Sequence, residues 1–269
     1  APVSLTVPVL RVPRTLPVLM CHSVPATGGP SGDLQVPLGE LREQLRVLRD
    51  DGYTVTGLTE ALDLGLREPG PRVVALTFDD GYADFLAVAE LLADLGCGAT
   101  LYVPTAHVGG QGMVRDAGRL LTWSELEDLA AAGVELGSHS HRHRPLDVLP
   151  AGEFRVQVDT SRAELYERLG VVARSFCYPH GYPVRRAAEV LGAAGYTNAC
   201  VIGRRIAGPG DDVFAVPRLQ LRPGLGAAGL RALISRGEPG VVPRLKRVAA
   251  PGWRVVRGLS LRVTGHELT

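Results

Sequence analysis

The sequence predicts an α/β fold in which parallel strands alternate with helices and close into a distorted (β/α) barrel, in a single domain. Three observations lead there. Short apolar, β-branched runs alternate with stretches of helical periodicity at least six times, the pattern of successive βαβ units. No glycine-rich dinucleotide fingerprint appears, which removes the main argument for an open, doubly wound sheet. The residues richest in chemistry all follow strand-like runs, and barrels carry their chemistry at the C-terminal ends of strands. A length of 269 residues suits one such domain.

Residues 1–16 are rich in Pro and Val without helical spacing and read as an N-terminal surface segment. The barrel is expected over 17–236, and 237–269 read as a C-terminal extension. Pro17–His22 is the first strand, ended by a Gly/Pro loop through Gly32. Leu38, Leu41, Leu45 and Leu48 mark a helix over 37–51, stopped by Gly52. A short strand at 53–56 and a helix at 59–66 follow. Arg72–Phe78 is a continuous β run entering Asp79-Asp80-Gly81. A helix at 83–95 ends at Gly96, and 99–103 is a strand.

The Gly-rich stretch 104–119 reads as a loop facing a substrate, in the manner of a lid. Thr122 with Glu125 three residues on forms a capping box for a helix ending at Gly133. Val134–Gly137 is a strand delivering a histidine cluster. A helix at 151–169, a strand at 175–178, a helix at 184–194 and a strand at 197–202 continue the alternation. Residues 213–221 and a helix at 225–235 complete it.

Composition narrows the function. A formal charge of +1, with 21% charged residues, gives no reason to expect nucleic acid as a partner. A basic run, Arg236, Arg244, Lys246, Arg247, Arg254, Arg257 and Arg262, reads first as a solvated face. The four cysteines, Cys21, Cys97, Cys177 and Cys200, form no CxxC pair and sit in apolar surroundings, so they read as small hydrophobes. No transmembrane segment is visible. Localisation stays open between the cytoplasm, the default expectation, and the cell exterior if a leader was removed from ahead of Ala1. Oligomeric state is not legible.

Two segments carry the chemistry. Thr77-Phe78-Asp79-Asp80-Gly81-Tyr82 offers adjacent carboxylates, and Gly137-Ser138-His139-Ser140-His141-Arg142-His143 offers imidazoles four residues apart. Two His and one Asp can hold a divalent metal while leaving positions open. His139 and His143 would share a helical face or meet across a tight loop, and Asp80 could be the third ligand. Side chains of adjacent residues alternate faces, so one aspartate can bind metal while the other accepts a proton. His141, between the two, is expected to point elsewhere.

Thr77-Phe78-Asp79-Asp80-Gly81, then His139-Ser140-x-x-His143, then Phe176-x-Tyr178-Pro179-x-Gly181 resembles the polysaccharide deacetylase family with the NodB homology domain, carbohydrate esterase family 4. The resemblance covers roughly 17–235. The opening Pro17–Val24 is similar to the poly-N-acetylglucosamine deacetylase-like branch, with Cys21 where a tyrosine is common. It implies a barrel of the NodB type and metal-dependent removal of acetyl groups, usually from the nitrogen of N-acetylglucosamine units in a glycan, oligosaccharide or small glycoside. Asp79 would then be the base. Asp80, His139 and His143 would bind zinc, or else cobalt or nickel. The turn Tyr178-Pro179-His180-Gly181 would bind substrate and offer a backbone N–H, that of His180, to an oxyanion.

Two departures from the family pattern shape further expectations. Cys177 stands where the family often has an arginine that orients the base, and Arg218 is expected to supply that charge from another strand. The family's C-terminal Leu-x-His acid is not visible, and His266 does not match it. His22, at the end of the first strand, becomes the expected catalytic acid. Tyr178 and His180 are expected to line the pocket, and Trp123 to pack within its helix. Alternatives stay open: a hydrolase of another C–N bond such as a cyclic ureide or imide, an O-acetyl esterase acting on xylan, or a silent sugar-binding module.

Overall fold

The computed structural model describes residues 11–26, 32–67, 69–112 and 118–239. Strands and helices alternate through them: β1 (Val18–Cys21), α1 (Leu38–Asp50), β2 (Tyr53–Thr56), α2 (Leu58–Gly65), β3 (Arg72–Phe78), α3 (Phe85–Leu95), β4 (Thr100–Val103), α4 (Trp123–Ala131), β5 (Glu135–Ser138), α5 (Ala151–Leu169), β6 (Ser175–Cys177), α6 (Ala187–Ala194), β7 (Asn198–Ile202), β8 (Val216–Gln220) and α7 (Ala227–Arg236).

Pairing between these named strands is parallel throughout. The order runs β1-β8-β7-β6-β5-β4-β3, and β3 pairs back onto β1, so these seven strands close a barrel. β2 stands outside that ring. Ala75 pairs with both Val18 and Thr56, which puts β1 and β2 on opposite edges of β3. Thr77 and Phe78 then pair with β4 on the edge that β2 has left. The seven-residue β3 thus seats two short strands end to end, and this is the barrel's distortion.

Burial follows the sequence pattern. β1, β4 and β8 are buried along their whole length, as strands covered on both faces must be. Leu41, Leu45 and Leu48 form the buried stripe of α1 against the barrel. α4 starts at the capping box read from sequence: Thr122 Oγ1 accepts from the Glu125 N–H, and the Glu125 carboxylate accepts from the Thr122 N–H. α6 begins three residues later than its apolar pattern suggests. Arg186, at φ 61°, is left-handed, so no right-handed helix can run through it.

The described part of the N-terminal segment does more than cover the surface. Arg11 and Leu16 bridge antiparallel to Asp212 and Ala207, and Val12 and Leu16 are buried in the core. Residues 1–10, the extension from 240 onward, most of the basic run and His266 lie outside the described residues. The four cysteines are free thiols. No described helix is long and apolar enough to cross a membrane.

Candidate active site

Strands β3 and β5 flank β4, and their last residues lead into the two motifs. His139 is buried, and its Nδ1 lies 2.9 Å from the carbonyl oxygen of Cys177. A carbonyl only accepts, so Nδ1 carries the proton and Nε2 presents its lone pair. That Nε2 is 3.5 Å from Asp80 Oδ1, and His143 Nε2 is 3.2 Å from the same oxygen. The possible ligand atoms of Asp80, His139 and His143 all lie within 4.8 Å of one another.

Asp80 Oδ1 is buried and accepts no hydrogen bond. A buried, unsatisfied carboxylate oxygen facing two ring nitrogens is costly in itself and is resolved by a divalent cation. The three residues therefore fit a metal.

Backbone geometry builds this convergence. Asp80 (φ 74°), Ser140 (φ 64°), His143 (φ 52°) and His180 (φ 58°) are left-handed non-glycine residues. Each such conformation costs about 1–2 kcal/mol and persists only where surrounding structure enforces it. In the histidine segment that structure is a serine ladder: Ser140 N–H donates to Ser138 Oγ, and His143 N–H donates to Ser140 Oγ. The two histidines meet through a tight loop, not along a helix. His141 turns away, its Nδ1 near Thr105 Oγ1 and Glu164 Oε2.

Asp79 points into the barrel instead. Arg218, buried in β8, donates from Nη1 to Asp79 Oδ1 and from Nη2 to Asp79 Oδ2, both at 2.7 Å. Its Nη1 also reaches Thr77 Oγ1 at 3.1 Å, and Cys177 Sγ lies 3.1 Å from Nη2. Burial opposes the charge on Asp79, but the guanidinium overrides it and holds the carboxyl at about 2. His22, partly exposed, places Nε2 3.8 Å from Asp79 Oδ2. The sequence assigns Thr77 no task; the available signal is a single polar residue within the apolar run Val73–Phe78.

The turn after β6 brings His180 beside the metal-fitting residues, its ring centroid 4.8 Å from that of His143. Burial and the neighbouring histidines push the His180 imidazole down to about 4. Pro179 and Gly181 are buried in the same turn. Tyr178 corrects an expectation. Its ring is buried against Phe176 and its hydroxyl donates to the Phe214 carbonyl, so the side chain supports the turn and does not line an open pocket. Trp123 is partly buried against the core and lies beneath the Arg168 guanidinium of α5.

The lid-like loop is anchored where it is described. Gly109 N–H donates to Leu121 O, Leu120 N–H to Gly110 O, and Leu121 N–H to Gly81 O. It is a narrow ribbon sewn to the Asp80–Gly81 turn. Residues 113–117 lie outside the described residues.

Residues 66–199 match the family model for polysaccharide deacetylase. The chain is 24% identical over 225 residues to YxkH of Bacillus subtilis (strain 168), whose name carries the same family; the match spans 82% of this chain and 77% of that one. Among solved structures it superposes on the Streptococcus pyogenes deacetylase PplD, in complex with acetate, at TM-score 0.71 and 22% identity, over 84% of this chain and 99% of that one. IcaB from Ammonifex degensii matches at TM-score 0.71 and 24% identity, over 82% and 97%. The structural matches establish the barrel fold.

Proposed function

The chain belongs to the polysaccharide deacetylase family, and on that premise we propose that it is a metal-dependent N-deacetylase acting on an N-acetylglucosamine-type amino sugar. The observation that carries this reading is the meeting of Asp80, His139 and His143 around an unsatisfied carboxylate oxygen, with a second carboxylate, Asp79, kept apart by Arg218.

Asp80, His139 and His143 would hold the cation, zinc first among the choices and cobalt or nickel also suited to this mixed donor set. Bound there, a divalent ion supplies Lewis-acid polarisation of an acyl oxygen and lowers the pKa of water. Asp79 accepts the proton of the attacking water. Arg218 keeps that carboxylate ionised and aimed, and the low pKa it imposes trades basicity for orientation. The turn at His180 offers its backbone N–H to the developing oxyanion. His22 delivers a proton to the leaving nitrogen, which departs as an amine only when protonated.

Metal analysis of the purified protein coupled to acetate release tests the reading. The panel spans N-acetylglucosamine, chitooligosaccharides, amino-sugar glycosides and acetylxylan. Metal with acetate from the acetamido sugars supports it. Release from acetylxylan alone would make the enzyme an O-acetyl esterase, and metal with no acetate from any member would point to another C–N bond.

A further inference from the structure

His22 follows a strand of only four residues, and its ring stands in the site without belonging to either motif. Its place depends on how the chain is held to either side, and both holds reach the same short segment. Before it, Asp79 N–H donates to the Cys21 carbonyl at 3.0 Å. After it, Ser23 Oγ and Val24 N–H both donate to Asp84 Oδ2 at 2.6 Å. His22 is therefore stapled on both flanks to the stretch from Asp79 to Asp84.

Asp84 occupies the N-cap position of α3, where an aspartate ordinarily accepts from the first N–H groups of its own helix. Here its side chain makes no capping bond and reaches across to residues 23 and 24. Those residues are 1% and 0% exposed, so the bonds form away from water. Asp84 Oδ1 is buried without a partner. Both donors thus fall on one oxygen while the other is left unsatisfied, a costly arrangement that simple helix capping would have avoided.

We propose that Asp84 is a positioning residue that sets His22 against Asp79, so that one turn carries the base, a metal-fitting carboxylate and the anchor for the acid. This rests on the reading of His22 as the acid that protonates the leaving nitrogen. A carboxylate so placed acts on the step that needs the proton and on no other.

Leaving groups separate this role from a structural one. An acetamido sugar needs a proton on its leaving nitrogen, whereas an aryl acetate such as 4-nitrophenyl acetate expels a stable phenolate without one. Asp84→Ala is expected to lower kcat on the acetamide about tenfold to a hundredfold, the scale of a small misplacement. Aryl acetate turnover and metal content should stay at wild-type level, and the double variant with His22→Phe should be no slower than His22→Phe alone. Asp84→Asn keeps an acceptor oxygen and should recover most of the loss. A wild-type kcat on the acetamide, an equal loss on both substrates, or a loss of metal would overturn the proposal. If the wild-type protein turns over neither substrate, the deacetylase reading falls by itself. The crystal structure of Asp84→Ala then decides the positioning: a His22 ring displaced by about 1 Å or more from Asp79 upholds it, and an unmoved ring rejects it.

Discussion

Arg218 grips Asp79 from across the barrel with two parallel hydrogen bonds of 2.7 Å, and both side chains are buried. Neither partner can be removed alone without stranding a charge in the interior. Arg218→Met should therefore destabilise the protein by about 3–5 kcal/mol, whereas a double Asp79→Leu, Arg218→Met variant should cost less than either single change. Urea denaturation of the three variants measures this. A double variant as unstable as the sum of the singles would show that the pair is not acting as a unit.

The same pair shows how far the sequence could be read. Asp79, Asp80, His139 and His143 were legible because each follows a β run, and strand ends in a barrel gather on one face. With Cys177 in the arginine's place, the sequence offers Arg218 as a candidate from another strand end, and β8 carries that side chain to Asp79. Two things escaped. The left-handed backbone at Asp80, Ser140, His143 and His180 has no signature in residue type, because only the completed site enforces it. The burial of Tyr178 escaped because an aromatic beside a motif looks the same whether its hydroxyl faces solvent or a carbonyl such as that of Phe214.

Occupancy of the Asp80, His139 and His143 site should register as stability. Binding to the folded state alone adds about 2.7 kcal/mol when free zinc stands at a hundred times its dissociation constant. Thermal denaturation with zinc and with excess chelator is expected to differ accordingly, and His143→Ala should remove the difference. Equal melting with and without zinc in the wild-type protein would mean that these residues do not hold the ion.

The capping box gives a prediction in acid. A hydrogen-bonded pair with Arg119, aided by the Thr122 N–H, lowers the Glu125 carboxyl from its usual 4.5 to about 2. A carboxyl depressed on folding stabilises the native state above the unfolded pKa and loses that effect as pH falls through the folded one. Arg119 is nearly half exposed, so the gain is kept to about 1 kcal/mol, the scale of a lost cap. Wild type should therefore exceed Glu125→Ala by that amount at pH 7, with the gap closing between about pH 5 and 2. A gap constant across that range would assign the effect to packing.

Gly181 sets the turn that carries His180, and no other residue fits there. Its φ of 71° already disfavours any side chain, and an added Cβ would lie 2.3 Å from Ile202 Cγ1 and 2.5 Å from Ile202 Cβ. The first contact can be relieved by rotating Ile202; the second is fixed to the backbone of β7. Gly181→Ala must therefore push the turn away from β7, moving His180 relative to His143 while leaving Asp80, His139 and His143 on their own strand ends. The expected result is a fall in kcat of about a hundredfold, as for a misplacement near 1 Å, with metal content unchanged. Adding Ile202→Ala should restore only part of the loss, because the left-handed backbone and the Cβ contact both persist. Wild-type kcat and melting temperature in Gly181→Ala would show that the turn plays no part in the reaction.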